Sequence, residues 1–300
     1  VSRASWWQPS AFSTDGIIEA CAGPGGWSTG ARMAGHTGPA YGIDINPWAC
    51  RTAAAAGHHR IQADITTFPL DHLVGSFDGV IISPDCKGWS IAGNQAGLDH
   101  PRGKLINEPL RWTLTLQPRW TAWECTPNHA VLDRFAADAE RLTDDGYNVW
   151  TGTVRAEQFG VPSTRTRAVL IARRDGVPVH APIPTHTTPV TMAEALGWDG
   201  AELVSNYGTN GDPRRRGRRS MDKPSFTITG KCGRNYWEWP DGRRRRLTVA
   251  EAGVLQSFPR DYPWKGGSIV QQQQVGDTMP AKLAAKLLDD VLRPAAERAA

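Results

Sequence analysis

Cys86 stands in Ser83-Pro84-Asp85-Cys86-Lys87-Gly88, a turn sequence just past the apolar run Phe77–Ile82. A thiol clear of a sheet is able to act as a nucleophile, with Lys87 favouring thiolate and Asp85 opposing it. Free cysteine is equally common as a small buried hydrophobe. Glu124 ends a second apolar run, Trp120-Thr-Ala-Trp-Glu124. It reads either as a bland edge carboxylate or as a buried carboxyl that hands a proton to a ring nitrogen. Cys125 follows it, and strand alternation aims that thiol at the opposite face. In Ser163-Thr164-Arg165-Thr166-Arg167 the two arginines recur at period two before the run Val169–Ala172. On one face of a β segment they form either a solvated surface or a guanidinium pair for a base carbonyl or a phosphate.

A glycine-rich turn comes earlier in the chain. Ala22-Gly23-Pro24-Gly25-Gly26 falls between a short apolar segment, Asp15–Glu19, and a helical stretch from Trp27 to Ala34. Missing side chains there let a ligand approach the backbone and the helix N-terminus. The pattern is neither a dinucleotide fingerprint nor a P-loop, so alone it is as compatible with a plain tight turn. Asp44 ends the next apolar segment, where a ribose hydroxyl is commonly bound, and Asp64 ends the one after, where an adenine amine is able to donate. One loop and two acids at successive strand ends describe a nucleoside site.

These residues need a scaffold that delivers them to one edge. Strand patterns at Ala40–Asp44, Ile61–Asp64, Phe77–Ile82, Trp120–Glu124 and Val169–Ala172 alternate with helical patterns at Pro47–Ala56 and Ala130–Leu142. Such alternation predicts an α/β fold with an open, largely parallel sheet, helices on both faces, and ligands at the carboxyl ends of the strands. The pattern breaks after Arg174. Residues 176–246 are rich in Pro, Thr, Gly and Arg, with β-like runs such as Phe226–Thr229, and are expected to form a small, mostly β or irregular module. Helical periodicity returns at Thr248–Phe258 and Ala281–Leu292. The expected division is therefore 1–175, 176–246, and a segment 247–300 folding back onto the first domain.

With 300 residues, 40% of them hydrophobic, the chain is long enough for a large core. No apolar run has the length of a membrane helix and the N-terminal stretch lacks a signal-peptide core, so a cytoplasmic setting is expected. Five scattered cysteines without a Cys-x-x-Cys pair argue against disulfides and structural metal. The net charge of +4 is uneven, since 176–246 holds 12 Lys/Arg against 7 Asp/Glu. Its runs Arg214-Arg215-Arg216-Gly217-Arg218-Arg219 and Arg243–Arg246 are interleaved with Asn206, Tyr207, Asn210, Asn235, Tyr236 and Trp237. Arginines hold phosphates and amide or aromatic groups read bases, so the expected partner is nucleic acid.

Taken in order, these segments resemble the cytosine-5 DNA methyltransferases over nearly the whole chain. Ala22–Gly26 resembles that family's S-adenosylmethionine loop, Ser83–Cys86 its nucleophile motif, and Trp123-Glu124-Cys125 the place of its Glu-Asn-Val tripeptide. Phe159–Arg167 is similar to its Gln-x-Arg-x-Arg element and Pro224–Thr229 to the end of its target recognition domain. Arg246–Pro259 and Gln274–Pro280 are similar to its last two blocks. Departures are Asp85 in place of proline, Cys125-Thr126 in place of Asn-Val, Ser163 in place of glutamine, and Asp277 in place of asparagine.

The resemblance implies a Rossmann-like methyltransferase fold and methyl transfer from S-adenosyl-L-methionine, leaving S-adenosyl-L-homocysteine, to C5 of a flipped-out cytosine in double-stranded DNA. It makes Cys86, Glu124, Arg165 and Arg167 catalytic. It places the cofactor against Ala22, Gly23, Pro24, Gly25, Gly26, Trp27, Asp44, Ile45, Asp64, Ile65, Pro84, Asp277 and Thr278. DNA contacts fall on Lys87, Ser90, Arg214, Arg215, Arg216, Arg218, Arg219, Thr227, Thr229, Lys231, Arg234, Asn235 and Tyr236. It further implies a monomer associated with the nucleoid through DNA, with a cognate restriction endonuclease left open. The alternatives are an RNA cytosine-5 methyltransferase, a catalytically silent DNA-binding relative, motivated by Asp85 and Cys125-Thr126, and transfer of an unusual group, motivated by Asp277.

Overall fold

The computed structural model describes residues 16–85, 103–208, 212 and 215–292, so Cys86, Lys87, Ser90 and Arg214 lie outside it. The large sheet is built from β1 (Ile17–Ala20), β2 (Ala40–Asp44), β3 (His59–Gln62), β4 (Gly79–Ile82), β5 (Trp120–Cys125), β6 (Asn148–Arg155) and β7 (Thr166–Arg173). Its order is β3-β2-β1-β4-β5-β7-β6. β1 to β5 run parallel, whereas β7 is inserted antiparallel between β5 and β6. The reversal of strand order beside β1 is a topological switch point, where open α/β sheets place their ligands. Central strands β1, β4, β5 and nearly all of β7 are buried on both faces, which is why they read as unbroken apolar runs.

Helices α1 (Gly26–Met33), α2 (Pro47–Ala55), α3 (Glu108–Leu116), α4 (His129–Asp144) and α8 (Ala281–Leu292) accompany the sheet. Asn46 caps α2 by accepting from the Trp48 and Ala49 amides, and Asn128 caps α4 by accepting from Val131 N–H. One core face gathers Ile18, Ile43, Val80, Trp112, Trp123 and Phe135; the other gathers Trp27, Ala31, Ile81, Trp120, Leu283 and Leu287. The C-terminal helix α8 thus lies beside α1 on the second face.

A smaller antiparallel sheet has the order β11-β10-β8-β9, from β8 (Glu202–Gly208), β9 (Arg216–Ser220), β10 (Tyr236–Glu238) and β11 (Arg244–Arg246). α5 (Met192–Leu196), α6 (Val249–Leu255) and α7 (Ser268–Asp277) surround it. Its core joins Leu196, Leu203, Met221 and Trp237 to Leu247, Ala252, Leu255 and Val275, so it draws on residues from both sides of position 246.

Two sequence expectations need correction. Phe226–Thr229 is not a strand of the small sheet. It runs along residues 163–165, held by an isolated bridge between Ser163 and Ser225, by Thr164 N–H donating to Ser225 O at 2.9 Å, and by Ser163 Oγ donating to Phe226 O at 3.1 Å. The first strand begins at Ile17 and includes Ala20, rather than spanning 15–19.

Candidate active site

The carboxyl ends of β1, β2 and β4, and the loop after β3, meet at one edge. After β1 the chain turns sharply, with positive φ at Cys21 (53°), Gly23 (53°) and Gly25 (111°). Among the described residues nothing lies within 4 Å of the position where a Cβ on Gly23 would project, which leaves an open cradle above the loop. A Cβ on Gly26 would collide with Met279 O and come to 2.6 Å from Thr278 Oγ1, so the residues after α7 close the loop from the other side. Behind it, Tyr262 donates its hydroxyl to Pro24 O at 2.6 Å, and His58 Nε2 lies 3.1 Å from Thr29 Oγ1. Burial, aided by Arg32, Arg60 and His59, pushes the His58 imidazole down to about 3, so it is neutral.

The acids stand around this cradle in two ways. Asp44 accepts from Gly23 N–H and Asn46 N–H, each at 2.7 Å, which ties the end of β2 to the loop. Burial raises its carboxyl above the ordinary range, against the two backbone donors and Arg60. Ile45, next to it, is 62% exposed, an unusual position for a large aliphatic residue and suited to the face of a planar ligand. Asp64 is exposed and accepts from Thr66 N–H and Oγ1–H, while Ile65 is buried with its carbonyl held by Arg111 and Trp112. Asp277 is exposed and accepts from Gln273 at 2.6 Å; Thr278 is buried.

The turn after β4 is fixed from α1. Trp27, 1% exposed, donates its indole N–H to Ser83 Oγ at 2.8 Å, and Pro84 is buried. The Asp85 backbone approaches Cys21 closely enough to influence its thiol, which burial raises first and the Asp44 and Asp85 charges raise further. The glycine loop and the segment leading into Cys86 therefore adjoin.

Glu124 and Arg167 meet at the same edge because β7 is antiparallel: its beginning lies beside the end of β5, with Cys125 opposite Ala168. Arg167 Nε sits 2.5 Å from Glu124 Oε1, with both side chains about nine-tenths buried. The N–H does not point along that line, so the contact is an ion pair rather than a linear hydrogen bond. Arg165 is turned elsewhere. Its guanidinium, 1% exposed, donates to Ile228 O at 3.1 Å and Gly276 O at 3.0 Å, joining β7 to the extended 225–229 segment and to the end of α7. The structure thus brings Glu124 and Arg167 together and gives Arg165 a clasping role. Cys125 is buried in the core beside Val131 and Phe135.

The small sheet presents a basic cavity of about 530 Å³ lined by Arg216, Arg234, Tyr236, Arg244, Arg245 and Arg246. Arg216 Nε is buried without an acceptor among the described residues, and Arg244 lies over the Tyr236 ring at 5.2 Å. Several expected DNA contacts are placed differently. Arg219 points inward, donating to Thr164 Oγ1, Pro224 O and Ser225 O over the Phe226 ring, and Asn235 is 3% exposed. Arg218 pairs with Glu202 at 2.9 Å and Glu238 at 3.3 Å. Thr227 donates to Thr164 O; Lys231, Arg215 and Arg234 are exposed, and Thr229 is half-buried.

Comparisons with known proteins agree with this geometry. Residues 16–206 match the model of the C-5 cytosine-specific DNA methylases. The Type II methyltransferase M1.HphI of Haemophilus parahaemolyticus is 31% identical over 92% of this chain and 86% of its own length. The Type II methyltransferase M.NgoPII of Neisseria gonorrhoeae is 24% identical over 92% and 95%. Among solved structures, S. pombe Dnmt2 superposes with a TM-score of 0.73 over 92% of this chain and 98% of its own, at 18% identity. A putative DNA modification methyltransferase from an E. coli prophage gives 0.69 over 92% and 98%, also at 18%, and both define the fold. The chain belongs to the C-5 cytosine-specific DNA methylase family and is a DNA (cytosine-5)-methyltransferase. No helix among the described residues is long and apolar enough to cross a membrane.

Proposed function

We propose that the protein uses S-adenosyl-L-methionine to methylate C5 of a cytosine flipped out of duplex DNA, through a covalent adduct with Cys86. The observation that carries this reading is the Glu124–Arg167 pair at the edge where the glycine loop and the turn leading to Cys86 adjoin. The residues fit the cofactor: the cradle over Gly23 is open, Asp44 and Asp64 offer carboxylates, and Ile45 offers an exposed apolar face. Ala22–Trp27, Asp44, Ile45, Asp64, Ile65, Pro84, Asp277 and Thr278 would hold it, and it supplies an electrophilic methyl group.

The chain's own residues do the rest. Cytosine C5 is a poor nucleophile, so the Cys86 thiolate adds to C6 and makes the ring enamine-like. Glu124 delivers its carboxyl proton to N3, relieving the charge that develops there, and the carboxylate left behind accepts from the exocyclic amine. Arg167 fixes the Glu124 carboxylate and presents its fork to the base carbonyl. Once C5 carries the methyl group, its proton leaves to solvent water, the C6–S bond breaks to release Cys86 as thiolate, and N3 returns its proton to Glu124. Unstacking the target costs a few kcal/mol, supplied by contacts to the strand around it.

Residues 176–246 are the recognition module in this reading, with the cavity of Arg216, Arg234, Tyr236, Arg244 and Arg246 as its phosphate-holding surface. The protein acts as a monomer. The test is incubation with mixed-sequence duplex DNA and S-adenosylmethionine, followed by nucleoside mass spectrometry. A 5-methylcytosine peak is expected; DNA binding with no such product, or product only on RNA, overturns the reading.

A further inference from the structure

Glu19, Gly42 and Arg60 form one rung across β1, β2 and β3, since Glu19 is in register with Gly42 and Gly42 with Arg60. Residues in register in a sheet present their side chains to the same face. Gly42 has none to present. A Cβ there would collide with Arg60 Nη1 and come to 2.6 Å from both Arg60 Cζ and Ala22 Cβ. The gap lets Arg60 lie across β2 and reach β1, where its guanidinium stops 3.6 Å from Glu19 Oε2, with the two side chains 1% and 4% exposed.

The charge is not used only by Glu19. Arg60 donates to Ser28 Oγ at 3.0 Å, to Gly23 O at 3.4 Å and to Ala22 O at 3.5 Å, while Ser28 donates to Glu19 at 2.7 Å. The two carbonyl contacts are long, so they draw their strength from the full charge of the donor. A buried ion pair is often no more stable than a well-packed apolar substitute. Its location here is accounted for by what it grips: the carbonyl side of the Ala22 and Gly23 peptides, while on the opposite side Gly23 N–H is held by Asp44.

We propose that Arg60, reaching across Gly42, is a positioning residue for the methyl donor, locking the Ala22–Gly23 backbone in the shape that receives it. The proposal rests on the cofactor assignment made above and names a residue outside the loop that sets affinity for it. Arg60 touches the loop and not the reacting atoms, so its removal acts on binding rather than on the chemical step.

Three variants test it, with S-adenosylhomocysteine as the probe in titration calorimetry and thermal melting run alongside. Glu19→Gln/Arg60→Met removes both buried charges together, Gly42→Ala keeps both but displaces the guanidinium, and Arg60→Lys keeps one donor without the fork. In the first two, Kd is expected to weaken about tenfold or more and KM for S-adenosylmethionine to rise by the same factor, with kcat at saturation little changed. Arg60→Lys is expected to recover part of the loss. Should the double variant fail to fold, Arg60→Lys decides, by weakening Kd severalfold, because a Cβ at Gly42 also presses on Ala22 directly. Unchanged affinity in a folded variant while wild type binds normally overturns the positioning role alone. Failure of wild type to bind S-adenosylhomocysteine overturns it together with the cofactor assignment.

Discussion

At the scale of single residues, the proposed chemistry rests on Cys86 and Glu124. Cys86→Ser keeps the shape of the side chain and removes the thiolate, so methyl transfer is expected to vanish while DNA affinity stays near wild type. Methylation persisting at the wild-type rate in a nucleoside assay would remove Cys86 from the mechanism. Asp85 poses a sharper question, because a carboxylate beside a thiol disfavours thiolate. Asp85→Asn is therefore expected to move the rise of kcat/KM with pH to lower pH, by roughly one unit for a charge this close; a superimposable pH profile would show that Asp85 does not feel the thiol. Glu124 was legible in the sequence because it ends an apolar run, and Arg167 because it stands at the start of another. Arg60 was not. Its neighbours His59 and Gln62 are exposed, β3 is an edge strand, and only the register through Gly42 shows that this one side chain turns into the protein.

At the scale of elements, four of the five parallel strands could be read from their apolar runs, whereas β3, expected at Ile61–Asp64, spans His59–Gln62 without such a run, and β6 and the direction of β7 could not be read. In Asn148–Arg155 only Val154 is fully buried and the pattern is broken by Gly152, so no continuous run marks it. Strand direction is set by connection length and by which neighbours are already in place, neither of which hydrophobic period encodes. That direction matters, since only an antiparallel β7 starts at the edge where β5 ends and so brings Arg167 to Glu124. The link between α1 and the loop behind it makes a further prediction. His58 is held down to about 3, below its ordinary value near 6.5, by burial and by Arg32, Arg60 and His59. The unfolded chain therefore takes up a proton at this site first as pH falls, and stability is lost between about 6.5 and about 3. His58→Asn removes that loss, so its melting temperature should fall less than wild type's between pH 7 and pH 4. Parallel melting curves across that range would mean that other groups govern acid sensitivity.

At the scale of the whole molecule, the arrangement separates arginines spent on internal contacts from arginines proposed to meet DNA, and the sequence runs do not make that distinction. Within Arg214–Arg219, Arg219 is spent on Thr164, Pro224 and Ser225, and Arg218 on Glu202 and Glu238. Arg216 instead faces the same cavity as Arg234 and Arg246, which come from other parts of the chain. The affinity of a protein for duplex DNA falls with salt because each phosphate contact releases condensed counterions, at a slope of about 0.9 per contact on logarithmic axes. Arg216→Gln/Arg234→Gln is accordingly expected to weaken DNA binding and reduce the salt slope by roughly 2, with melting temperature little altered. Arg219→Met should do the reverse, lowering melting temperature through its lost carbonyl contacts and leaving the slope where it was. Fluorescence anisotropy over a salt series measures both. If the two variants changed the slope equally, the cavity would be no more a DNA surface than the half-buried Arg219, and the recognition face would have to be sought on another side of the small sheet.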